Sequence, residues 1–153
     1  MTAIINSAQV RQIQYGIKVE RATAVLPATA YGALFTVSGG RILVTGLVGE
    51  VTVVCSGTAT NLKVTATPTT GTAVDVAANV AVTSKEVGTL IGITGLFSDA
   101  AVASNAGATV MPRNGVVVPI GTLGITTSAT NTGSVKWTLL YVALDDAATV
   151  VAA

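Results

Sequence analysis

The sequence predicts an all-β chain: an antiparallel β-sandwich or jelly roll, or a β-barrel-like single domain, with extended N-terminal and C-terminal segments. Three observations point there. Apolar and polar residues alternate with period two, Gly and Pro punctuate the runs at short intervals, and helical periodicity is weak. Composition agrees: Ala, Thr and Val each occur 24 times in 153 residues, and two of these three are β-branched.

In chain order, residues 1–12 read as an N-terminal arm, residues 13–146 as the β domain, and residues 147–153 as a C-terminal tail. From Gln12, the residues Ile13, Tyr15, Ile17 and Val19 alternate with Gln14, Gly16, Lys18 and Glu20, which predicts a strand with one dry face. Leu62, Val64 and Ala66 alternate with Lys63, Thr65 and Thr67 in the same way. Val135, Trp137, Leu139, Tyr141 and Ala143 form a third such face, opposite Lys136 and Thr138. Leu34 to Val37, Ile42 to Val48, Val51 to Cys55 and Leu90 to Thr94 are more continuously apolar and predict strands covered on both faces.

Turn chemistry separates these runs. Ser38-Gly39-Gly40 and Asn131-Thr132-Gly133 offer the positive φ that tight hairpins use, and Gly49-Glu50 reads as a further reversal. Pro27, Pro68, Pro112 and Pro119 lie at run ends, where a missing N–H is tolerated. Helix is a candidate only in the first ten residues and from Ser98 to Ala108. Gly88 to Thr94 resembles Gly121 to Thr126, although so restricted an alphabet favours coincidence over a repeat.

Charge and hydropathy bear on function. Only fifteen residues are charged, net charge is +1, half of the residues are hydrophobic, and mean hydropathy is +0.70. Ordinary domains are about one quarter charged, so this surface suits contact with other subunits better than a solitary life in water. The eight Lys and Arg residues are scattered singly, which argues against nucleic acid. Lys18 to Arg21 contains its own acid and reads as a solvated strand face. Ala22 to Gly40 and Asn114 to Val135 are uncharged or nearly so, yet Gly, Pro and Thr interrupt both, so no membrane-spanning helix is expected. Aromatic residues at 4% are too few for the girdles of a membrane barrel. The first residues lack the basic and apolar regions of a secretory signal, so synthesis and retention in a cytoplasm are expected.

Chemistry-bearing side chains are scarce. The chain has no His, which removes the commonest general base and leaves zinc without its usual ligands. Cys55 stands alone in an apolar run and reads as a buried thiol. Asp145-Asp146 is the one adjacent acidic pair; it lacks the spacing of a calcium loop and reads as a charged cap on a strand end. No glycine run precedes a Lys-Thr or Lys-Ser pair as phosphate loops require, and Ser84-Lys85 lacks the spacing of a serine–lysine dyad. Thr58/Thr60 and Thr65/Thr67 are local pairs without the constant ladder of an ice-binding face. No enzyme activity, cofactor or metal is expected. Apolar residues near the N-terminus, namely Ile4, Ile5, Val10, Ile13 and Tyr15, are the candidate subunit interface.

The stretch Gly121 to Asp146, with Tyr15 to Arg21 and Arg41 to Gly46, resembles small virion proteins of tailed bacteriophages. The resemblance implies a capsid decoration (cement) protein: small, β-rich, often trimeric, bound to the major capsid protein lattice on the head surface, and without catalytic residues. The chain departs from simpler decoration proteins in its length and in lacking a Pro-rich arm. Two other expectations stand beside this one. One is a tail, tube or spike component. The other is a carbohydrate-binding β-sandwich (adhesin) module, for which Trp137, Tyr15, Tyr31, Tyr141, Phe35 and Phe97 are the available aromatics. Trp137 lies on an apolar strand face and reads as core.

Overall fold

The computed structural model describes residues 4–105 and 107–153. A short helix, α1 (Ser7–Tyr15), precedes β1 (Ile17–Val25), β2 (Tyr31–Ser38), β3 (Ile42–Val53), β4 (Asn61–Pro68) and β5 (Val74–Ala81). Then come β6 (Leu90–Gly92), β7 (Val102–Ser104), β8 (Val116–Val118), β9 (Gly121–Thr127), β10 (Ser134–Ala143) and β11 (Thr149–Ala152). Sheet I runs β1-β10-β3-β6-β7, with β8 also paired to β3, and sheet II runs β11-β2-β9-β4-β5. All pairings between these strands are antiparallel.

The pairing is nested: β1 with β10, β2 with β9, β3 with β6 and β8, β4 with β5. This is one long antiparallel ribbon rolled so that successive arms fall in opposite sheets, the jelly-roll arrangement. An all-β sandwich was the expectation, and it is what the chain builds. The rolling changes the meaning of two turns. Ser38-Gly39-Gly40 joins β2 of sheet II to β3 of sheet I, and Asn131-Thr132-Gly133 joins β9 of sheet II to β10 of sheet I. Both carry the chain across the sandwich, so neither closes a hairpin, although Gly39 does adopt φ +73°.

Period two correctly picked the inward faces. Val135, Trp137, Leu139 and Tyr141 are buried while Lys136, Thr138 and Leu140 are half-buried; Ala143 is exposed. Leu62, Val64 and Ala66 are buried on β4, and Thr65 joins them because its hydroxyl donates to Asp75 Oδ1 at 2.8 Å. Of the strands expected to be covered twice, Leu34-Phe35 on β2 and Ile91 to Ile93 at β6 are buried in succession, whereas β3 is covered once. On β3, Ile42, Val44, Leu47 and Val51 enter the core, whereas Leu43 and Val48 are half-buried and Val53 is exposed. A two-layer sandwich has no third layer to cover them.

Three local expectations are corrected. Gly49-Glu50 is no reversal, because β3 runs straight through it; Gly49 pairs with Trp137, whose ring takes the space a Cβ would need. The alternation from Ile13 does not begin a strand. Asn6 accepts from the Gln9 N–H and Gln9 returns a bond to the Asn6 N–H, both at 2.9 Å, so a capping box starts α1 and carries it through Ile13 and Tyr15. The helix stops at Gly16 (φ +89°), where any Cβ would strike the Tyr141 carbonyl. Among the described residues from Ser98 to Ala108 there is no helix: β7 pairs with β6 there, with Ala103 packed partly against the core. The similar Gly88 and Gly121 segments contribute to β6 and β9 in different sheets, in keeping with coincidence rather than a repeat.

Helix α1 spans residues 12 and 13, and the C-terminal tail contributes β11, an edge strand on β2 with Val150 buried. Residues 1–3 of the arm and residue 106 of the second candidate helix lie outside the described residues.

Candidate assembly surface

Helix α1 buries none of its residues. Nine residues are too few for a stable isolated helix in water, so its two ends hold it. The capping box fixes the first turn, and at the last turn the Thr45 hydroxyl of β3 donates to the Tyr15 carbonyl. Ala8, Arg11, Gln12 and Tyr15 line a cleft of about 600 Å³ between the helix and the outer face of sheet I, whose wall includes Lys18, Thr138 and Leu140. At 100° per residue these four helical positions share one side. Val10 and Ile13 fall on the opposite side and point away from the domain.

That orientation inverts the usual rule, in which a surface helix turns its apolar stripe to its own core. The five residues proposed from sequence for an interface are all exposed: Ile4 at 88%, Ile5 at 58%, Val10 at 48%, Ile13 at 77% and Tyr15 at 41%. Val10 and Ile13 form one stripe, Ile4 and Ile5 precede the cap, and Tyr15 stands apart on the cleft side. The accessible surface of 7687 Å² compares with roughly 7,100 Å² for a compact monomer of this mass, as expected when an arm stands off the body.

A second apolar surface was not foreseen. At the seam where β5 of sheet II passes β8 of sheet I, Pro68, Val74, Phe97, Val117 and Pro119 border a groove of about 170 Å³ with Ala66 and Val76 at its base. Phe97 is 49% exposed, Val74 46% and Val117 53%. The adjacent apolar pair Leu96-Phe97 between Gly95 and Ser98 was a readable signal, since a turn seldom needs two large apolar side chains.

Seven of the charged side chains pair with one another. Asp145 Oδ2 accepts from the Arg41 N–H at 2.7 Å and from its Nε at 3.1 Å, while Oδ1 accepts from Nη2 at 2.9 Å. These bonds hold the Asp145 carboxyl down at about 2 and raise the Arg41 guanidinium. Asp145 thus spends its oxygens on Arg41, tying the β10–β11 loop to the start of β3. Glu20 lies 3.2 Å from Lys18 and 3.4 Å from Lys136 on the outer face of sheet I, and its carboxyl is lowered first by its bond to Lys18. Asp75 is lowered by Lys63 at 2.8 Å. Burial pushes the Cys55 thiol up. Among the described residues, no three His, Cys, Asp or Glu side chains gather as a metal site, and no helix is long and apolar enough to cross a membrane.

Of the aromatics, Trp137, Phe35 and Tyr141 are core. Tyr31 lies on the outer face of sheet II, its ring over Gly124 and its hydroxyl 2.7 Å from Thr122 Oγ1. Thr36, Thr122 and Thr67 stand in register across β2, β9 and β4 beside it. Comparison with known proteins adds no relative to this geometry: no family model, no curated protein and no solved structure matches the chain.

Proposed function

We propose that this chain is a non-enzymatic structural subunit of a virus particle, a decoration protein that binds the head lattice of a tailed bacteriophage as a homo-oligomer, a trimer by preference. The observation that carries the reading is α1, whose apolar stripe turns away from its own domain and is covered only when another chain lies against it. Sparse charge and a net charge of +1 remove the repulsion that keeps copies apart. A jelly roll is an architecture that viral capsid domains share with lectins and cupins, so the fold permits the reading without deciding it. The proposed mechanism is burial: apolar contact contributes about 25 cal/mol per Å² before association costs, and a lattice repeats each contact many times. Its site is the virion, its partners are copies of itself and the major capsid protein, and it needs no cofactor, nucleic acid or membrane. Sedimentation velocity on the full chain from 1 to 100 µM, with immunolabelled electron micrographs of particles, tests this. An oligomer found on heads is the expected result; a monomer at every concentration overturns the proposal, and label on tails transfers it to a tail, tube or spike component.

A second reading, a carbohydrate-binding module, has one observation in its favour: Tyr31 offers an exposed ring among Thr hydroxyls on sheet II. A glycan array with Tyr31→Ala as control is expected to be blank under the first reading and positive, with loss in the variant, under the second.

A further inference from the structure

We infer that Asn114-Gly115 is a self-modifying site, at which the Asn114 side-chain amide is lost to the backbone nitrogen of Gly115 and a neutral residue becomes an acidic one. The inference is independent of the self-association proposed above.

The reaction balances with solvent water as its co-reactant. The Gly115 nitrogen attacks the Asn114 side-chain carbonyl carbon. The new N–Cγ bond forms, the Cγ–Nδ2 bond breaks, and ammonia leaves with the proton that Gly115 gives up. Water then opens the cyclic imide at either carbonyl, which leaves aspartate or isoaspartate. Three conditions favour this step: a following nitrogen unshielded by a side chain, an asparagine side chain in the open, and main chain outside a ladder.

Asn114 meets all three. Gly115 carries no Cβ beside its nitrogen. Both residues are exposed, and both precede Val116, the first residue of β8 and its first ladder partner to Val44 of β3. The Arg113 N–H donates to the Thr94 carbonyl at 2.8 Å, and Gly95 (φ +88°) packs its bare backbone against the Asn114 carbonyl. These contacts hold the main chain as far as that carbonyl and leave the Asn114 side chain in solvent, so conversion in the fold is slower than in a free peptide.

The other asparagines are protected. The chain holds six, and five are followed by residues with side chains: Ser7, Leu62, Val80, Ala106 and Thr132. Asn6 accepts the Gln9 N–H in the capping box, and Asn131 spends its amide on Ser56, Thr60 and Gly133. Asn61 and Asn79 lie within β4 and β5, whose pairing fixes the main chain at Leu62 and Val80.

Two consequences follow from the products. One added negative charge takes the net charge from +1 to 0, which removes the last long-range repulsion between copies. Isoaspartate also routes the main chain through the side chain and lengthens it by a methylene just ahead of β8, where Val116 and Val118 are buried against the core.

Incubation of the native chain at pH 8, followed by isoelectric focusing and peptide mapping by mass spectrometry, tests the site. The expected result is a band more acidic by one charge, with the converted residue mapping to Asn114 ahead of every other asparagine. Asn114→Gln, an exposed substitution whose longer side chain disfavours the ring, is expected to lose that band, with circular dichroism checking its fold. Gly115→Val, which shields the nitrogen, is expected to slow the band's appearance. An acidic band that maps to another asparagine, or that persists at the native rate in Asn114→Gln, overturns the inference. So does a native chain that keeps the Asn114 amide while a peptide of residues 111–118 converts fully.

Discussion

Gly49 of β3 and Trp137 of β10 are register partners, and the indole rests on the bare glycine backbone: a Cβ at Gly49 would lie 2.9 Å from ring atoms Cη2 and Cζ3. Trp137 is among the largest fully buried side chains, so its ring has little room to retreat. Gly49→Ala is therefore expected to destabilise the fold by about 1–3 kcal/mol, as overpacking of a core does. Thermal unfolding followed by near-ultraviolet circular dichroism would register this as a drop of roughly 2–12 °C. An unchanged midpoint would mean that the indole moves freely.

Asp145 supplies a pH dependence whose sign is determined. Its carboxyl sits at about 2 in the fold against an ordinary 3.8, because Arg41 bonds the charged form. The stabilisation is present above the unfolded value and is lost as pH falls from about 3.8 through about 2. Glu20 and Asp75 are lowered too and act in the same direction. Urea unfolding between pH 5 and 2 should thus show falling stability in the native chain and a shallower fall in Asp145→Asn. Equal slopes in the two proteins would rule out the clasp as the source.

Asn131 organises the opposite end of the sandwich. Its Oδ1 accepts from the Ser56 and Gly133 N–H groups at 2.9 Å, and its Nδ2 donates to Thr60 Oγ1 at 3.1 Å and the Ser56 carbonyl at 3.4 Å. Asn131 and Thr60 are buried, so truncation strands partners away from water. We expect Asn131→Ala to cost about 2–4 kcal/mol by denaturant midpoint. A loss below about 0.5 kcal/mol would show that water replaces the amide.

Cys55 packs against Gly133 beneath the same loop cluster, and burial holds its thiol protonated. Ellman's reagent at pH 8 should leave the native chain unlabelled for hours and label one thiol per chain at once in denaturant. Fast stoichiometric labelling of the native protein would place the thiol at the surface.

The N-cap offers a measurement on the arm alone. Asn6→Ala removes the capping oxygen and should weaken α1 by about 1 kcal/mol. Because α1 buries no residue, the unfolding midpoint of the sandwich should hardly move, while self-association weakens. A midpoint shift without any change in association would place the helix within the monomer's own stability.

Much of this was legible in the residues because it is local. Side chains on a strand alternate between faces, so Leu62, Val64, Trp137 and Leu139 announced an inward direction whatever their partners were. Cys55 and the scarcity of charge were equally plain. The helix was legible only in part: Ile13 and Tyr15 satisfy period two, but an Asn6–Gln9 capping box outweighed that alternation. What only the tertiary structure decided are the relations between distant segments. Both crossing turns look like hairpin turns, because a turn specifies a reversal of direction and leaves open which sheet receives the next strand. Arg41 and Asp145 meet across 104 residues, and Phe97 and Val117 share a groove only because the ribbon rolls β8 past β5. Backbone periodicity acts over a few residues and is written in the chain; such pairings depend on the closure of long loops, which no short window of sequence contains.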